Sequence, residues 1–280
     1  MGRLQEKVVL VVGSTMGIGR AIALGAAAEG AKVVVTGRTQ SAGEAVAAEI
    51  RDAGGEAVYA RVDVTEPATI EAAVKTAMTR YGRLDGLVNN VAGMTLNRID
   101  QRVTELTLED WNLILATDLT SAFLGMKYGI RAMLEGGRGG SVVNIASEAG
   151  LLGMNGLEAY TASKGAIVAM TRSVASYYAR YDVRCNCLAV GFVDTGGERM
   201  DELLRDPLFS AEILRHHLGH LGKPHEVAAA AVFLLADEAA YVSGAILPVD
   251  AGAAAAAHVV RPSAPDIAGF PRLRPHAPEF

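Results

Sequence analysis

Short apolar runs alternate with longer alanine-rich stretches along most of this chain. The apolar runs are continuous, as expected of strands in a parallel sheet with helices on both faces. The runs that predict strands are Val8 to Val12, Val33 to Thr36, Val58 to Val62, Leu84 to Asn89, Ser141 to Ala146, Val183 to Val190 and Ile246 to Val249. This alternation predicts repeated βαβ units and therefore a doubly wound α/β fold with a parallel sheet.

The alternation continues without a linker as far as Gly252, so residues 1–252 are predicted to form a single domain. Residues 253–280 form an Ala/Pro-rich C-terminal tail, and the part from Val259 to Phe280 holds five of the nine prolines. Proline at this density excludes a helix or a central strand. The tail is either a disordered end or a segment laid over a neighbouring subunit or the site entrance.

Half of the residues are hydrophobic, so the chain can bury a sizeable core. The formal charge of −5 is spread over small clusters without a basic stripe, so nucleic acid is not an expected partner. The chain has neither an apolar run of membrane-spanning length nor a signal-peptide core, so no membrane association is expected. Cys185 and Cys187 share one predicted strand, where a mutual disulfide would be strained. Reduced thiols predict a cytoplasmic protein.

A glycine-rich loop follows the first predicted strand and opens a helix, with Gly13, Gly17 and Gly19 spaced G-x-x-x-G-x-G. Side chains at these positions would keep a pyrophosphate away from the backbone N–H groups and from the positive end of the helix. Glycine also serves ordinary turns, so the cluster alone is weak evidence. The order of strand, loop and helix favours a dinucleotide site.

The second predicted strand ends at Gly37 and Arg38, near the place where such folds bind the adenosine ribose. No acid is present there to accept the ribose hydroxyl of NAD, whereas a guanidinium suits the 2′-phosphate of NADP. The sequence therefore predicts NADP, with NAD as the alternative; Arg38 as an ordinary surface residue is the competing interpretation. Asp63, after the third strand, is a candidate acceptor for the adenine amino group or a simple turn cap.

Tyr160 and Lys164 lie four residues apart, so a helix would place them on one face. The positive charge of the lysine would stabilise a phenolate and let the tyrosine transfer protons. Ser147 ends the fifth predicted strand, on the sheet edge where ligands bind in such folds, and its hydroxyl could hold a substrate oxygen. A surface Tyr–Lys pair and a turn-capping serine are the alternatives.

These motifs together resemble the single-domain branch of the short-chain dehydrogenase/reductase family, over roughly Lys7 to Gly252. The resemblance implies a Rossmann fold of strand order 3-2-1-4-5-6-7 and identifies Ser147, Tyr160 and Lys164 as the catalytic residues. It also implies homodimers or homotetramers built on the helices before and after the fifth strand.

The resemblance assigns further contacts to the cofactor, and in this family the lysine also binds the nicotinamide ribose. The implied cofactor-binding residues are Gly13, Ser14, Thr15, Gly17, Ile18, Gly19, Arg38, Asp63, Val64, Asn90, Tyr160, Lys164, Val193 and Thr195. The fourth-strand motif falls on Asn89-Asn90-Val91-Ala92. Residues of about 196–221 correspond to a variable substrate lid.

The chain departs from the family pattern at several positions, of which Val12, Ala92 and Val190 are small or apolar changes. The sharper departure is Asp118, which stands where the family carries the asparagine of its catalytic tetrad. Aspartate keeps an acceptor oxygen, loses the amide donor and can add a charge. It could either strengthen the pull of Lys164 on a proton or oppose phenolate formation.

Two functions are compatible with these residues. The first is a nicotinamide-dependent alcohol dehydrogenase or ketone reductase, and the second is a non-catalytic protein that binds the cofactor for regulation or scaffolding. The expected partner is a small-molecule alcohol or ketone, and no metal site is predicted. Its identity is not predicted, because the lid and the loop from Gly93 to Thr107 would set it. Leu96, Ile99 and Val103 in that loop suggest a partly apolar pocket.

Overall fold

A computed structural model of the chain describes residues 2–93, 95–207 and 221–255. A seven-stranded sheet forms its centre, and every strand pair in it is parallel. The strands are β1 (Val8–Val12), β2 (Lys32–Gly37), β3 (Glu56–Arg61), β4 (Gly86–Asn89), β5 (Gly140–Ser147), β6 (Val183–Val190) and β7 (Ile246–Val249). Their order is β3-β2-β1-β4-β5-β6-β7, which confirms the predicted topology.

Helices connect the strands and cover both faces of the sheet. The described helices are α1 (Gly17–Ala28), α2 (Gln40–Asp52), α3 (Pro67–Tyr81), α4 (Leu108–Leu115), α5 (Ser121–Gly136), α6 (Glu158–Tyr178), α7 (Glu198–Arg205) and α8 (Pro224–Leu235). A π-helical turn, Ala116–Thr120, joins α4 to α5. None of the helices in the described ranges is long and apolar enough to cross a membrane.

The two faces of β1 show why the strands have continuous apolar sequences. Val9 and Val11 belong to the core cluster that includes α1 and α8, whereas Val8, Leu10 and Val12 belong to the cluster that includes α3 and α5. Every residue of β1 is therefore buried. Each buried valine or leucine stabilises the fold by roughly 1.5–3 kcal/mol relative to an exposed one. Apolar residues are therefore favoured at every position of this central strand.

The predicted strands agree with the observed ones apart from their ends. β3 begins at Glu56 rather than Val58, because Glu56 pairs in register with Lys32. β4 begins at Gly86 rather than Leu84, and Asp85 just before it accepts a hydrogen bond from the Val8 N–H.

The C-terminal region is described only in part. Ala253–Ala255 form a short 3-10 turn in which Ala253 is buried, so packed chain extends slightly past the predicted boundary. Most of the predicted tail, 256–280, and residues 208–220 of the predicted lid lie outside the described residues.

The strand order places the site. The chain moves outward from β1 to β3 and then returns to β4 on the other side of β1. The loops after β1 and β4 therefore leave the sheet in opposite directions, and a crevice opens between them. The loops after β5 and β6 leave the sheet at the same edge, because all strands are parallel. The motif residues therefore converge at the carboxyl edge of the sheet.

Candidate active site

The glycine loop after β1 is held in shape by two neighbouring strands. The Thr36 hydroxyl accepts a hydrogen bond from the Gly13 N–H at 2.9 Å, and the Asn90 side-chain amide donates to the Gly13 carbonyl at 2.8 Å. Gly13 and Gly17 adopt positive φ angles of 81° and 53°, which favour glycine. Contacts within the protein thus hold the loop in this shape.

The start of α1 has the free donors and the space that a pyrophosphate needs. A Cβ at Gly19 would lie 2.0 Å from the Gly13 carbonyl oxygen, so only glycine fits there. Within the described part of the chain, no side chain caps the helix at its N-cap residue, Met16. The first amides of α1 are therefore available to an anionic group, and these residues fit a dinucleotide phosphate.

Ser14, one of the predicted cofactor contacts, is engaged by hydrogen bonds within the protein. Its hydroxyl accepts from the Thr36 N–H at 2.8 Å and donates to the Val11 carbonyl at 3.0 Å. Its own N–H donates to the Thr36 carbonyl, and the residue is fully buried. The geometry therefore gives Ser14 a role inside the loop and does not favour a cofactor contact. Ile18, also predicted, is half-buried and packs on the core beneath α1.

The ribose end of the crevice lies between β2 and β3. A Cβ at Gly37 would meet the Thr15 methyl group at 2.4 Å, so Thr15 occupies the space that an acidic side chain at position 37 would enter. Arg38 is exposed, and no salt bridge engages it within the described residues. The Arg38 guanidinium is thus exposed just after β2, near Asp63.

Asp63 serves as a turn cap. Its Oδ1 accepts from the Thr65 hydroxyl at 2.7 Å and from the Thr65 N–H at 3.1 Å. These hydrogen bonds, the hydroxyl above all, hold the pKa of Asp63 below its usual range, and nearby Arg38 contributes in the same direction. The turn-cap interpretation is therefore supported. The other carboxyl oxygen, Oδ2, lies 3.7 Å from the Nη2 atom of Arg61. Val64 follows, half-buried against the core.

Tyr160 and Lys164 occupy the first two turns of α6, as their spacing predicts. The Lys164 ammonium lies 5.3 Å from the centre of the Tyr160 ring and 3.5 Å from the Val91 carbonyl oxygen, and only 1% of the lysine is exposed. A buried ammonium beside a phenol stabilises the phenolate more strongly than a solvated one, because water screens it less.

Ser147 ends β5 and is 8% exposed. Its hydroxyl accepts a hydrogen bond from the Ala149 N–H at 3.2 Å, so it also caps the following 3-10 turn. That contact uses an acceptor lone pair and leaves the hydroxyl proton for a ligand oxygen. The capping and catalytic interpretations are therefore compatible.

Asp118 lies in the π-helical turn between α4 and α5 and is 1% exposed. Its Oδ1 accepts from the Gly93 N–H at 2.7 Å, and its Oδ2 lies 3.9 Å from the Lys164 nitrogen. The departure from the family pattern thus places a carboxyl group beside the Lys164 ammonium.

Asp100 is a residue of the site that the sequence analysis missed. Its carboxyl oxygens accept hydrogen bonds from the Ala159 and Tyr160 N–H groups, at 3.1 and 2.8 Å. The only signal in the sequence is that the start of α6 lacks a capping side chain of its own.

A series of buried side-chain hydrogen bonds connects α6 to the sheet. The Asn89 side-chain amide donates to the side-chain oxygen (Oδ1) of Asn144 at 2.8 Å, and the Asn144 side-chain amide donates to the Thr171 hydroxyl at 3.0 Å. These residues lie on β4, β5 and α6, so these hydrogen bonds fix the helix against the two strands that end at the site.

The segment after β6 returns to the glycine loop. A Cβ at Gly17 would lie 3.2 Å from the Thr195 methyl group, so Thr195 sits against that loop. Val193 forms a parallel bridge with Gly222, in which Gly222 donates to the Phe192 carbonyl and accepts from the Asp194 N–H. The N–H and carbonyl of Val193 itself take no part in this bridge. An ion pair of 2.7 Å between Asp194 and Lys223 joins the two ends of the predicted lid.

Comparison with known proteins agrees with this geometry. A model of the short-chain dehydrogenase/reductase family, described as enoyl-(acyl carrier protein) reductase, matches residues 12–254. The chain is 37% identical to 2-(S)-hydroxypropyl-CoM dehydrogenase 3 of Xanthobacter autotrophicus over 89% of this chain and 97% of that protein. It is 38% identical to 3-alpha-(or 20-beta)-hydroxysteroid dehydrogenase of Mycobacterium tuberculosis over 91% of this chain and 92% of that protein.

A solved structure shares the fold. A short-chain type dehydrogenase/reductase from Mycobacterium ulcerans superposes with a TM-score of 0.85 at 27% identity, covering 91% of this chain and 92% of the other. The chain belongs to the short-chain dehydrogenase/reductase family, and it is an NAD(P)-dependent oxidoreductase that acts between alcohols and ketones.

Proposed function

We propose that the protein interconverts a secondary alcohol and a ketone with NADP as its preferred cofactor, and that Tyr160 is the general acid/base. The observation that carries the proposal is the buried Lys164 ammonium, 5.3 Å from the Tyr160 ring, on the sheet edge where Ser147 also ends its strand. The non-catalytic alternative gains no support, because the named relatives are dehydrogenases.

The side chains divide the chemistry between them. The nicotinamide, when bound, supplies or accepts the hydride. In the direction of reduction, Tyr160 donates its phenolic proton to the substrate oxygen, while the Ser147 hydroxyl orients that oxygen by a hydrogen bond. Lys164 stabilises the phenolate that remains and would hold the nicotinamide ribose. In the direction of oxidation, the same phenolate takes up the alcohol proton.

Several residues support the cofactor assignment. The first amides of α1 and the loop of Gly13, Gly17 and Gly19 would hold the pyrophosphate. Arg38 would pair with the 2′-phosphate, and Thr15 disfavours the acid that NAD recognition needs at position 37. Asn90, Val193 and Thr195 would complete the site on the nicotinamide side.

The substrate is proposed only as a class. The relatives named above are dehydrogenases of hydroxypropyl-CoM and of hydroxysteroids, which share a secondary alcohol and little else. The test measures the reduction of a panel of small, cyclic and steroidal ketones. The rate is monitored as the loss of absorbance of the reduced cofactor, with NADPH and NADH in parallel reactions. Turnover of at least one ketone, faster with NADPH at low cofactor concentration, is expected; binding without turnover of any ketone or alcohol would contradict the proposal.

We further propose that the protein acts in the cytoplasm as a homotetramer or homodimer. The two cysteines are free and buried, which suits a reducing compartment. Phe123 on α5 and Tyr177 on α6 are exposed, which suits subunit contacts on the helices flanking β5. Light scattering after size exclusion gives the subunit number. The division into residues 1–252 and a tail stays a prediction.

A further inference from the structure

The first turn of α6 carries the catalytic tyrosine but has no cap of its own. The helix begins at Glu158, and Leu157 at the N-cap position offers no side-chain acceptor. Ala159 and Tyr160 are therefore among the residues whose N–H groups find no carbonyl within the helix. The position of the phenol depends on what holds this turn.

Asp100 supplies the missing acceptors from a distant part of the chain. It accepts the Ala159 N–H on Oδ1 at 3.1 Å and the Tyr160 N–H on Oδ2 at 2.8 Å, across 59 and 60 residues of sequence. The residue is 5% exposed, so water does not compete for these bonds. A carboxyl group in this place also meets the positive end of the 21-residue helix.

The loop that carries Asp100 is itself ordered by hydrogen bonds. Leu96 N–H donates to the Gly93 carbonyl at 2.7 Å, and the Ile99 and Asp100 N–H groups donate to the Leu96 carbonyl at 3.0 and 3.1 Å. The turn therefore presents Asp100 towards α6 in a fixed direction.

The same loop is attached to the catalytic residues at its other end. Gly93 N–H donates to Asp118, whose second carboxyl oxygen lies 3.9 Å from the Lys164 nitrogen. A Cβ at Gly93 would lie 2.7 Å from the Leu96 side chain, which leaves little room for the turn to shift. The carboxyl group of Asp118 thus holds Gly93, and that of Asp100 holds the start of α6, so both Gly93 and Asp100 are fixed against the elements that carry the proposed catalytic residues.

We propose that Asp100 is a positioning residue for the reaction: it fixes the first turn of α6, and so the Tyr160 hydroxyl, and it ties the loop that carries Asp100 to that tyrosine. The proposal rests on the proposed role of Tyr160 as general acid/base. Because a misplacement of about 1 Å can cost about a hundredfold in rate, a residue that never touches the substrate can still govern turnover.

The test compares Asp100→Ala and Asp100→Asn with Asp85→Ala in the full-length protein. Asp85 is a matched control, since it is 9% exposed and accepts the Val8 N–H at 2.8 Å at the opposite edge of the sheet. Asp100→Ala is expected to lower kcat about tenfold to a hundredfold with NADPH affinity changed less than about threefold, because Lys164 and the glycine loop keep their places. Asp100→Asn keeps one acceptor oxygen, so its kcat should fall between those of the wild type and Asp100→Ala.

Amide hydrogen exchange of the peptide covering residues 157–161 gives a readout independent of turnover. Exchange should accelerate in Asp100→Ala and stay unchanged in Asp85→Ala. The proposal is overturned if exchange is unchanged in Asp100→Ala, if its kcat falls no further than that of Asp85→Ala, or if kcat and NADPH affinity fall by the same factor. A wild-type protein that binds NADPH but reduces no ketone would refute the proposed function instead, and exchange alone would then decide whether Asp100 anchors the turn.

Discussion

Asp118 and Lys164 form a buried pair, in which a carboxyl oxygen lies 3.9 Å from the ammonium nitrogen. Burial raises the pKa of Asp118 above its ordinary value, and the Lys164 charge and the Gly93 N–H act in the opposite direction. The Asp118 carboxyl group therefore experiences two opposing influences, its burial and the neighbouring ammonium.

The first prediction concerns the pH dependence of turnover. An ionised Asp118 would partly cancel the stabilisation that Lys164 gives to the Tyr160 phenolate. Asp118→Asn removes this charge at nearly constant size, so the alkaline-activating limb of the pH profile for alcohol oxidation should move to lower pH. Turnover near neutrality should be preserved or raised. Steady-state rates across the pH range for both proteins measure the shift.

The opposite outcome for Asp118→Asn has a clear meaning. If the variant loses most of its activity while the profile stays in place, Asp118 is an adapted proton-relay residue rather than a tolerated departure. Cofactor affinity is the control, and it should hardly change because the amide introduced by the substitution keeps an oxygen that can accept the Gly93 N–H.

The second prediction concerns stability. A carboxyl group whose pKa is higher in the folded state than in the unfolded state binds its proton more tightly in the folded state. Its protonated form therefore stabilises the fold at pH values below the ordinary Asp pKa of about 4, and this contribution is lost as the pH rises through the folded-state pKa. Asp118→Asn cannot ionise, so it should unfold at a higher temperature than the wild type near neutral pH. A gain of roughly 1 kcal/mol would appear as about 2–4 °C in Tm. Thermal unfolding without cofactor at several pH values measures it, and a gain that is the same near pH 4 and near neutrality would contradict this cause.

The third prediction concerns cofactor choice. Arg38→Ala should weaken NADP binding about tenfold or more and leave NAD binding nearly unchanged, since only the 2′-phosphate loses its partner. Gly37→Asp alone would collide with Thr15, so the acid is best introduced as the double variant Thr15→Ala/Gly37→Asp. Titration of both cofactors measures the preference.

The double variant should bind NAD more tightly than NADP, and Thr15→Ala alone serves as its control. If the unmodified protein binds NAD more tightly than NADP, the interpretation of Arg38 is wrong.

The parts of the site that could be predicted are local in sequence. The glycines at 13, 17 and 19 lie in the β1–α1 loop and the start of α1, and Tyr160 and Lys164 lie about one helical turn apart, so spacing alone predicts how they are arranged. The strand order was predicted from the family resemblance and is confirmed. The boundaries of β3 and β4 differ slightly, because pairing with a neighbour rather than hydrophobicity decides where a strand ends.

The parts that could not be predicted depend on tertiary contacts. Asp100 acts across 59 residues from a loop without periodicity, so nothing in its neighbourhood indicates the helix that it caps. Ser14 directly follows Gly13 of the motif, but the sequence does not reveal that Thr36 engages its hydroxyl. The distance between Asp118 and Lys164 likewise could not be predicted, because it depends on how the π-helical turn packs against α6.

The most direct test of the central claim is the turnover of Tyr160→Phe beside the wild type, with NADPH and a ketone that the wild type reduces. Loss of the positioned proton donor should lower kcat at least about a hundredfold, while NADPH affinity stays nearly intact because the Lys164 ammonium and the glycine loop are untouched. Tyr59→Phe, which removes a hydroxyl bonded to the Gly37 carbonyl outside the catalytic centre, is the matched control for turnover. A Tyr160→Phe protein with a near-normal rate would remove Tyr160 from the mechanism and contradict the account.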